Sequence, residues 1–535
     1  MRILILVLMS FLMQQICFTQ VDITSSNLPL IIIETNGADI VDEPKIKAGM
    51  KIIHATSGRN KITDFPNVYN GNIGIELRGS TSQGFPKKGY GLETRDATGD
   101  EVNVSLLGMP KENDWILHGP FSDKSLIRNM LCYTLARQFM EYAPRGRYCE
   151  LILNGKYQGV YVLMEKIKRD KNRVDIANLK PEDISGDEVT GGYILKMDKE
   201  SGSNNAGWYS PYAPRPGGWQ RTYFQYDDPD AKDINAPQMA YIQQHIQKVE
   251  STIASSLFAH PEKGFRQYID TKSLIDYILI NEVSKNPDAY RLSTYFYKKK
   301  DSDGGKIFFG PVWDYNIAFG NVNYCTNGNI ENLVITDFNQ VCPDDFWVIH
   351  FWWTQFLKDT EFKREVRARW TALRKKELSN QRVTFVVDSL TGLLQEAQER
   401  NFKQWPVLGQ WVWPNYFVGN TYQSEVNFIR NWTINRLGWL DGYFNQYPPP
   451  LNTGTEDNWV LVPNPVSDLL TISNVQGDQT EFIIYDSSGK QIIPEIVFKS
   501  NNFAEIDVSP LAAGVYWIRR KEASAYTPQK FIKIH

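Results

Sequence analysis

The chain has 535 residues, 42% hydrophobic and 22% charged, with a net charge of −3. That length suffices for one large domain with a small one, or for three of ordinary size, and the composition is that of a globular protein with a sizeable core. The near-neutral balance excludes a general nucleic-acid-binding footprint. Aromatic residues are abundant at 13%, with 15 Trp and 27 Tyr. Such a content serves either stacking on ligands or a large aromatic core.

The first residues, MRILILVLMSFLMQQICFTQ, place one Arg before an apolar run and polar residues after it. This pattern predicts a secretory signal peptide over residues 1–19. The run is too short for a membrane span, and no other stretch of 18 apolar residues follows, so the mature chain is expected to carry no transmembrane segment. Cys17 leaves with the signal. Cys132, Cys149, Cys325 and Cys342 remain and allow three pairings. Cys325 and Cys342 close a short, turn-rich loop and are the preferred pair. The cysteine spacing does not suit a zinc knuckle.

Residues 28–100 read as β-rich. LPLIIIET is a compact strand, and IGIELRGSTSQGFPKKGYGLETRD places Arg78 at a strand end, then a Gly/Ser loop with Lys87 and Lys88. A loop of that kind offers backbone N–H groups and cations to phosphate, although it lacks the P-loop pattern. LLGMPKENDWILHGP reads as a loop holding a buried Trp115. Ser122 or Asp123 is expected to cap a helix running to about Phe139, with Arg128 and Asn129 on it. YCELILNGKYQGVYVLMEKI is a hairpin turning at Asn154-Gly155, with Glu165 at its end requiring a partner if buried. The basic run KIKRDKNR follows, then a strand, GGYILKMDKE, carrying Lys196 and Asp198. Residues 201–236 read as a Gly-, Pro- and Tyr-rich loop, and a helix is expected over 237–258.

The central stretch is 281–321, NEVSKNPDAYRLSTYFYKKKDSDGGKIFFGPVWDYNIAFGN. A helical run, SLIDYILINEV, breaks at Asn286-Pro287-Asp288, because the residue before proline is pushed out of the helical region. Residues 292–298 and 306–309 read as two strands around an Asp303-Gly304-Gly305 turn. Asp288 and Asp314 thus flank a predicted hairpin and are expected at one end of its sheet. Beyond Cys342 the pattern is helical with dense aromatics, broken by the Trp-rich loop NFKQWPVLGQWVWPN. Residues 446–459 read as a linker. From 460 to 535, short alternating strands between Asn, Gly and Pro turns predict a small β-sandwich without a nucleophile–base constellation.

Five stretches, IELRGSTSQGFPKKGYGLET, YCELILNGKYQGVYVLMEKI, GGYILKMD, NPDAYRLS and GPVWDYNIAFGN, resemble the CotH-type (spore coat protein H-like) atypical secreted kinases. PNPVSDLLTI, LAAGVYWI and KFIKI are similar to the type A C-terminal sorting domain of the type IX secretion system of the Bacteroidetes. The resemblance implies an α+β fold: a divergent, reduced protein-kinase-like body over 28–445, then the sorting sandwich. It implies transfer of the γ-phosphoryl of ATP to Ser residues of exported proteins with Mg²⁺ or Mn²⁺. By motif, Asp314 corresponds to the metal-binding Asp and Asp288 to the catalytic-loop Asp. Lys87, with Lys88 as rival, corresponds to the nucleotide-phosphate lysine, supported by Arg78, and Glu165 to an acidic residue near the nucleotide. The family loop reads Asn-x-Asp-x-His-x-x-Asn. Here Tyr290 stands for the His, and Ser293 for the Asn that supplies a metal ligand. The expected partners are the type IX machinery and an exported acceptor protein, with the protein secreted or held at the cell surface. Two other readings stay open: a non-enzymatic surface or matrix protein, and a glycan-binding or glycan-active protein using Trp405, Trp411, Trp413 and the Tyr-rich loop at 208–226.

Overall fold

The computed structural model describes residues 21–200, 206–450, 460–473, 481–500, 503–520 and 528–535. The expected signal peptide and most of the expected linker lie outside the described residues. Contacts divide the chain into two units near Pro448. Both are described separately, and together they make a mixed α+β protein.

The first unit begins with a closed barrel of seven strands: β1 (Leu30–Glu34), β2 (Ile46–Ile53), β3 (Tyr69–Arg78), β4 (Gly89–Arg95), β5 (Asp114–His118), β6 (Gly146–Leu153) and β7 (Lys156–Glu165). Its order is β1-β2-β3-β4-β5-β7-β6, and the parallel pairing of Leu30 with Glu150 through Ile33 with Leu153 closes it. Alternation along the strands sends Ile31, Ile33, Met50, Ile73, Ile75, Leu92 and Trp115 inward. Leu30 and Ile53 join a second apolar cluster outside. Two buried faces explain the unbroken apolar run of β1. Asn154 and Gly155 both take positive φ, at 49° and 72°, and form the tight turn between β6 and β7.

The barrel is followed by a five-stranded antiparallel sheet built from β8 (Tyr193–Met197), β9 (Gly207–Tyr209), β10 (Tyr223–Asp228), β11 (Thr294–Lys298) and β12 (Ile307–Phe309), in the order β9-β10-β8-β11-β12. The hairpin expected at 292–309 is therefore present. Residues 201–236, expected as loop, instead supply two strands: the aromatic run at 223–226 pairs with β8 and buries Phe224 and Tyr226.

Nine α-helices occur among the described residues: α1 (Arg128–Ala136), α2 (Ala236–Ala254), α3 (Thr271–Ser284), α4 (Val334–Val341), α5 (Phe351–Phe356), α6 (Thr360–Arg374), α7 (Asn380–Leu394), α8 (Ala397–Gln404) and α9 (Tyr422–Phe444). They share one apolar core with the sheet. The first starts later than its sequence suggests. Asp123 accepts from Ser125 N at 3.1 Å and Arg128 N at 2.8 Å, so residues 123–127 form a hydrogen-bonded loop ahead of the helix. Asp359 caps α6 by accepting from Glu361 N, which splits the long aromatic helical run in two.

The second unit holds two four-stranded antiparallel sheets. One contains β13 (Val460–Val462), β14 (Leu469–Ser473), β17 (Ile496–Ser500) and β18 (Phe503–Asp507); the other contains β15 (Phe482–Tyr485), β16 (Gln491–Ile492), β19 (Gly514–Arg520) and β20 (Gln529–Lys533). Leu470, Ile472 and Ile506 from the first sheet and Phe482, Ile518 and Phe531 from the second bury a common apolar core.

One buried charge ties three helices of the first unit together. Glu282, near the end of α3, accepts from Val334 N and Ile335 N at the start of α4, each at 2.9 Å. It also accepts from Tyr290 Oη at 3.0 Å and from Arg436 Nη2 of α9 at 3.1 Å. Both Glu282 and Arg436 are fully buried. Removing one partner leaves an uncompensated interior charge, so Arg436→Met is expected to destabilise the first unit by about 3–5 kcal/mol. Urea unfolding followed by tryptophan fluorescence measures it.

Candidate functional site

Asp288 and Asp314 meet because of how α3 ends. Lys285 terminates the helix in the left-handed conformation. Its ammonium donates to Thr326 O at 3.0 Å, Asn329 O at 3.2 Å, and also to Asn329 Oδ1 and Glu331 O. The chain then turns through Asn286. Asn286 Oδ1 accepts from Asp288 N at 3.2 Å, and its Nδ2 donates to Asp314 O at 3.4 Å. One amide side chain thus spans the two loops that carry the carboxylates.

Each carboxylate-bearing loop has its own support. Asp288 Oδ1 accepts from Arg291 Nη2 at 2.8 Å. Arg291 is fixed in turn by Pro287 O at 2.8 Å, Asp345 Oδ1 at 3.2 Å and Trp347 O at 2.8 Å, with its guanidinium 4.2 Å from the Phe338 ring centre. Asp314 N donates to Tyr133 Oη at 3.2 Å, and Tyr315 N donates to Asn129 Oδ1 of α1 at 2.6 Å. Tyr315 Oη returns to α3 through Asn281 Oδ1 at 2.7 Å. Lys285, Tyr290, Ser293 and Asp314 all have φ between 46° and 70°. Non-glycine residues rarely adopt that region, and such strain collects where surrounding structure over-determines the backbone.

Two cations face the pair from other elements. Arg78, the last residue of β3, lies 5.9 Å from the Trp313 ring centre. Lys199, just beyond β8, donates to Ser80 Oγ at 2.6 Å and lies 5.9 Å from the Trp347 ring centre. Gly79 gives this loop its shape: its φ is 121°, and a Cβ there would fall 2.0 Å from Ser82 Oγ. The crowding of the cleft walls, then the like charges of Asp288 and Asp198, push the Asp314 carboxyl up to about 7, against Lys199 and Arg78. Asp314 nonetheless stays open to solvent at the mouth of the cleft, where water softens the penalty of crowding and the neighbouring carboxylates keep the shift upward. Burial raises Asp288 as well, with Arg291 opposing it and Asp198 adding to it.

The other expected site residues each have surroundings of their own. Lys87 is 2% exposed, and its ammonium donates to Pro120 O at 3.2 Å, Val160 O at 2.6 Å and Asn401 Oδ1 of α8 at 2.7 Å. Burial holds it well below the usual lysine range, with the Asp123 carboxylate opposing. Lys88 Nζ donates to Gln83 O. Glu165 is fully buried, accepting from Tyr142 Oη at 3.0 Å, Arg145 N at 2.9 Å and Arg145 Nε at 3.3 Å. Lys87 and Glu165 thus both spend their polar atoms on partners within the first unit. Ser293 is half-buried just ahead of β11. Tyr290 points away into the core, its ring centre 4.7 Å from that of Trp353 and its hydroxyl on Glu282. Sequence reasoning noted Asp198 without giving it a role, and gave none to Lys199, Arg291 or Asn286. The adjacency of Asp198 and Lys199 at a strand end was the available signal for two of them.

No group of three or more His, Cys, Asp or Glu side chains able to hold a metal ion on its own occurs among the described residues. The donor chemistry here, two carboxylates beside two cations, suits Mg²⁺ or Mn²⁺ bound together with a phosphate-bearing ligand, because Mg²⁺ commonly uses only one or two carboxylates plus substrate phosphates. Cys325 and Cys342 are joined, with Cα atoms 5.6 Å apart, while Cys132 and Cys149 are free and buried.

The raised Asp314 carboxyl has a stability consequence. The folded chain holds this proton more tightly than the unfolded chain, so the metal-free protein loses stability as pH rises from about 4 to about 7. Asn tolerates the left-handed backbone at this position and removes the charge. Asp314→Asn is expected to raise the Tm of the metal-free protein at pH 8, with the gain fading toward pH 4. Scanning calorimetry across that range checks the sign.

Comparison with known proteins follows the same division of the chain. No match is found among curated proteins. Residues 460–534 match the secretion system C-terminal sorting domain, a tail that directs type IX export, so the protein is delivered to the cell surface or beyond it. Among the described residues no helix is long and apolar enough to cross a membrane. Residues 75–440 match the CotH kinase protein family over more than half of the chain, and the protein belongs to that family.

Proposed function

We propose that the protein transfers the γ-phosphoryl group of ATP to serine hydroxyls of exported proteins in a metal-dependent reaction. The observation that carries this reading is the pairing of Asp288 and Asp314 across Asn286, opposite Arg78 and Lys199. Asp314, assisted by Asp198, would hold Mg²⁺ or Mn²⁺ with the nucleotide, and Ser293 is the remaining family-position ligand. The bound ion would neutralise phosphate oxygens and fix their geometry. Arg78 and Lys199 supply further positive charge to the phosphates, the work that the family motif assigns to Lys87. Asp288 accepts the acceptor hydroxyl's proton at Oδ2, while Arg291 holds Oδ1 and so fixes the plane of the carboxylate.

A second reading rests on exposed rings near the cleft. Trp219, Phe346 and Trp347 form an exposed aromatic step, with Trp219 and Phe346 ring centres 5.1 Å apart. Arg291 connects it to Asp288 through Trp347 O. Such a surface favours a glycan-binding protein, and a matrix protein that kept the fold without catalysis is the remaining alternative.

Calorimetry of the full chain with ATP and Mg²⁺ or Mn²⁺, followed by labelled-phosphate transfer, tests the kinase reading. Wild-type protein is expected to bind nucleotide only with metal. Asp314→Asn should abolish that binding. Asp288→Asn should retain binding and lose transfer by a factor of about 10²–10⁴. A folded wild-type chain that binds no nucleotide under either metal would defeat the reading and make a glycan array the next measurement.

A further inference from the structure

The basic run at 166–173 has no part in the cleft. Several of its charges are spent locally: Lys168 pairs with Asp114 at 2.9 Å and Glu112 at 3.2 Å, and Arg169 lies 4.0 Å from Asp228. Lys171 and Arg173 instead line a cavity of about 320 Å³ together with Arg137 and Arg145. Four cations therefore face two acidic lining residues, Glu141 and Asp175. Glu141 is already engaged by Lys299 at 3.2 Å and Tyr297 Oη at 2.6 Å. Behind the wall, the buried Glu165 pairs with Arg145 and Tyr142 and lies 4.0 Å from Arg173 Nε, while Asp170 accepts from Asn172 N at 2.7 Å.

The guanidiniums are held mainly by neutral oxygens. Arg137 donates to Pro144 O and Thr134 Oγ1. Arg145 donates twice to Asn172 O. Arg173 donates to Lys166 O at 2.8 Å and Asp114 O at 3.1 Å while lying 5.3 Å from the Trp115 ring centre. Carbonyl partners fix the orientation of a guanidinium without cancelling its charge, and each guanidinium has five N–H donors. Arg173 is buried and spent on these partners and on Glu165, so the donors and charge left over on this frame are those of Arg137 and Arg145, beside the exposed Lys171. Arg137 is held below the ordinary arginine range by burial and then by the like charges of Arg147 and Arg145, with Glu165 opposing.

We propose that this cavity is a binding site for a tetrahedral oxyanion of the phosphate class, clasped by Arg137, Arg145 and Lys171, with Arg173 adding positive charge from the wall. Planar guanidinium forks match phosphate oxygens, and a flexible exposed lysine closes over them. The ligand is either the free anion or a phosphomonoester on a polypeptide. The site is independent of the kinase reading, since it uses neither ATP nor Asp288.

The test is a thermal-shift titration of the full chain with inorganic phosphate and with O-phosphoserine, against chloride at matched ionic strength. A saturable rise in Tm is expected. Lys171 and Asp175 are both exposed, so their variants leave the fold intact. Lys171→Gln should raise the half-saturating concentration at least 5-fold, and Asp175→Asn should lower it. A lower half-saturation for phosphoserine than for phosphate would assign the site to a phosphorylated chain, and the reverse order to the free anion. Absence of a saturable shift with either probe, or identical titrations for wild type, Lys171→Gln and Asp175→Asn, would overturn the proposal.

Discussion

The Glu282 carboxylate is the constraint on which the first unit depends. Burying one ion costs several kcal/mol, and the cost is offset only by complete coordination. Its donors come from the first turn of α4, from Tyr290 and from Arg436 of α9. Placing the carboxylate near the start of α4 adds a favourable interaction with the helix dipole. Arg436 then reaches Glu282 O, Ile330 O and Asn332 O, carrying the same constraint into the segment before α4. With the end of α3 fixed from three directions, the residues after it have few alternatives. That rigidity lets Lys285, Tyr290 and Ser293 persist at positive φ a few residues from Asp288.

Much of the local structure was legible in the sequence. The Asn154-Gly155 turn, the hairpin before Asp314 and the break of α3 at Asn286-Pro287 each follow from short-range backbone rules. The meeting of Asp288 and Asp314 was also legible, because both flank one hairpin. Barrel closure was not, since it rests on the parallel pairing of β1 with β6, more than a hundred residues apart. Nor was the loop at 201–236 readable as strand. Its Gly and Pro punctuation masked an aromatic segment that becomes strand only by pairing with β8.

The lysines of FPKK show why site residues are harder to read than elements. Nothing local distinguishes Lys87 from Lys88 or favours Arg78 over both. The choice is made by α8, whose Asn401 lies 314 residues away and draws the Lys87 ammonium inside. Tyr290 carries the same lesson in reverse. As a departure from the family loop it reads as a change in the cleft, yet its ring packs on Trp353 and its hydroxyl serves Glu282. A substitution within a motif alters the site only if the side chain points there, and backbone conformation decides that.

The disulfide places one wall of the cleft under the control of its surroundings. Tyr324 adjoins Cys325, and Asp345 follows Cys342 closely enough to share Arg291 with Asp288. The charge of Asp288 also acts on Tyr324, whose hydroxyl is pushed up chiefly by burial. Crosslinking these two segments removes loop entropy from the stretch that borders Asp288. Thiols stay reduced in the cytosol and pair outside it. The chain therefore acquires its finished cleft wall during delivery, so that the compartment in which it was made never contains the same molecule as the one in which it resides.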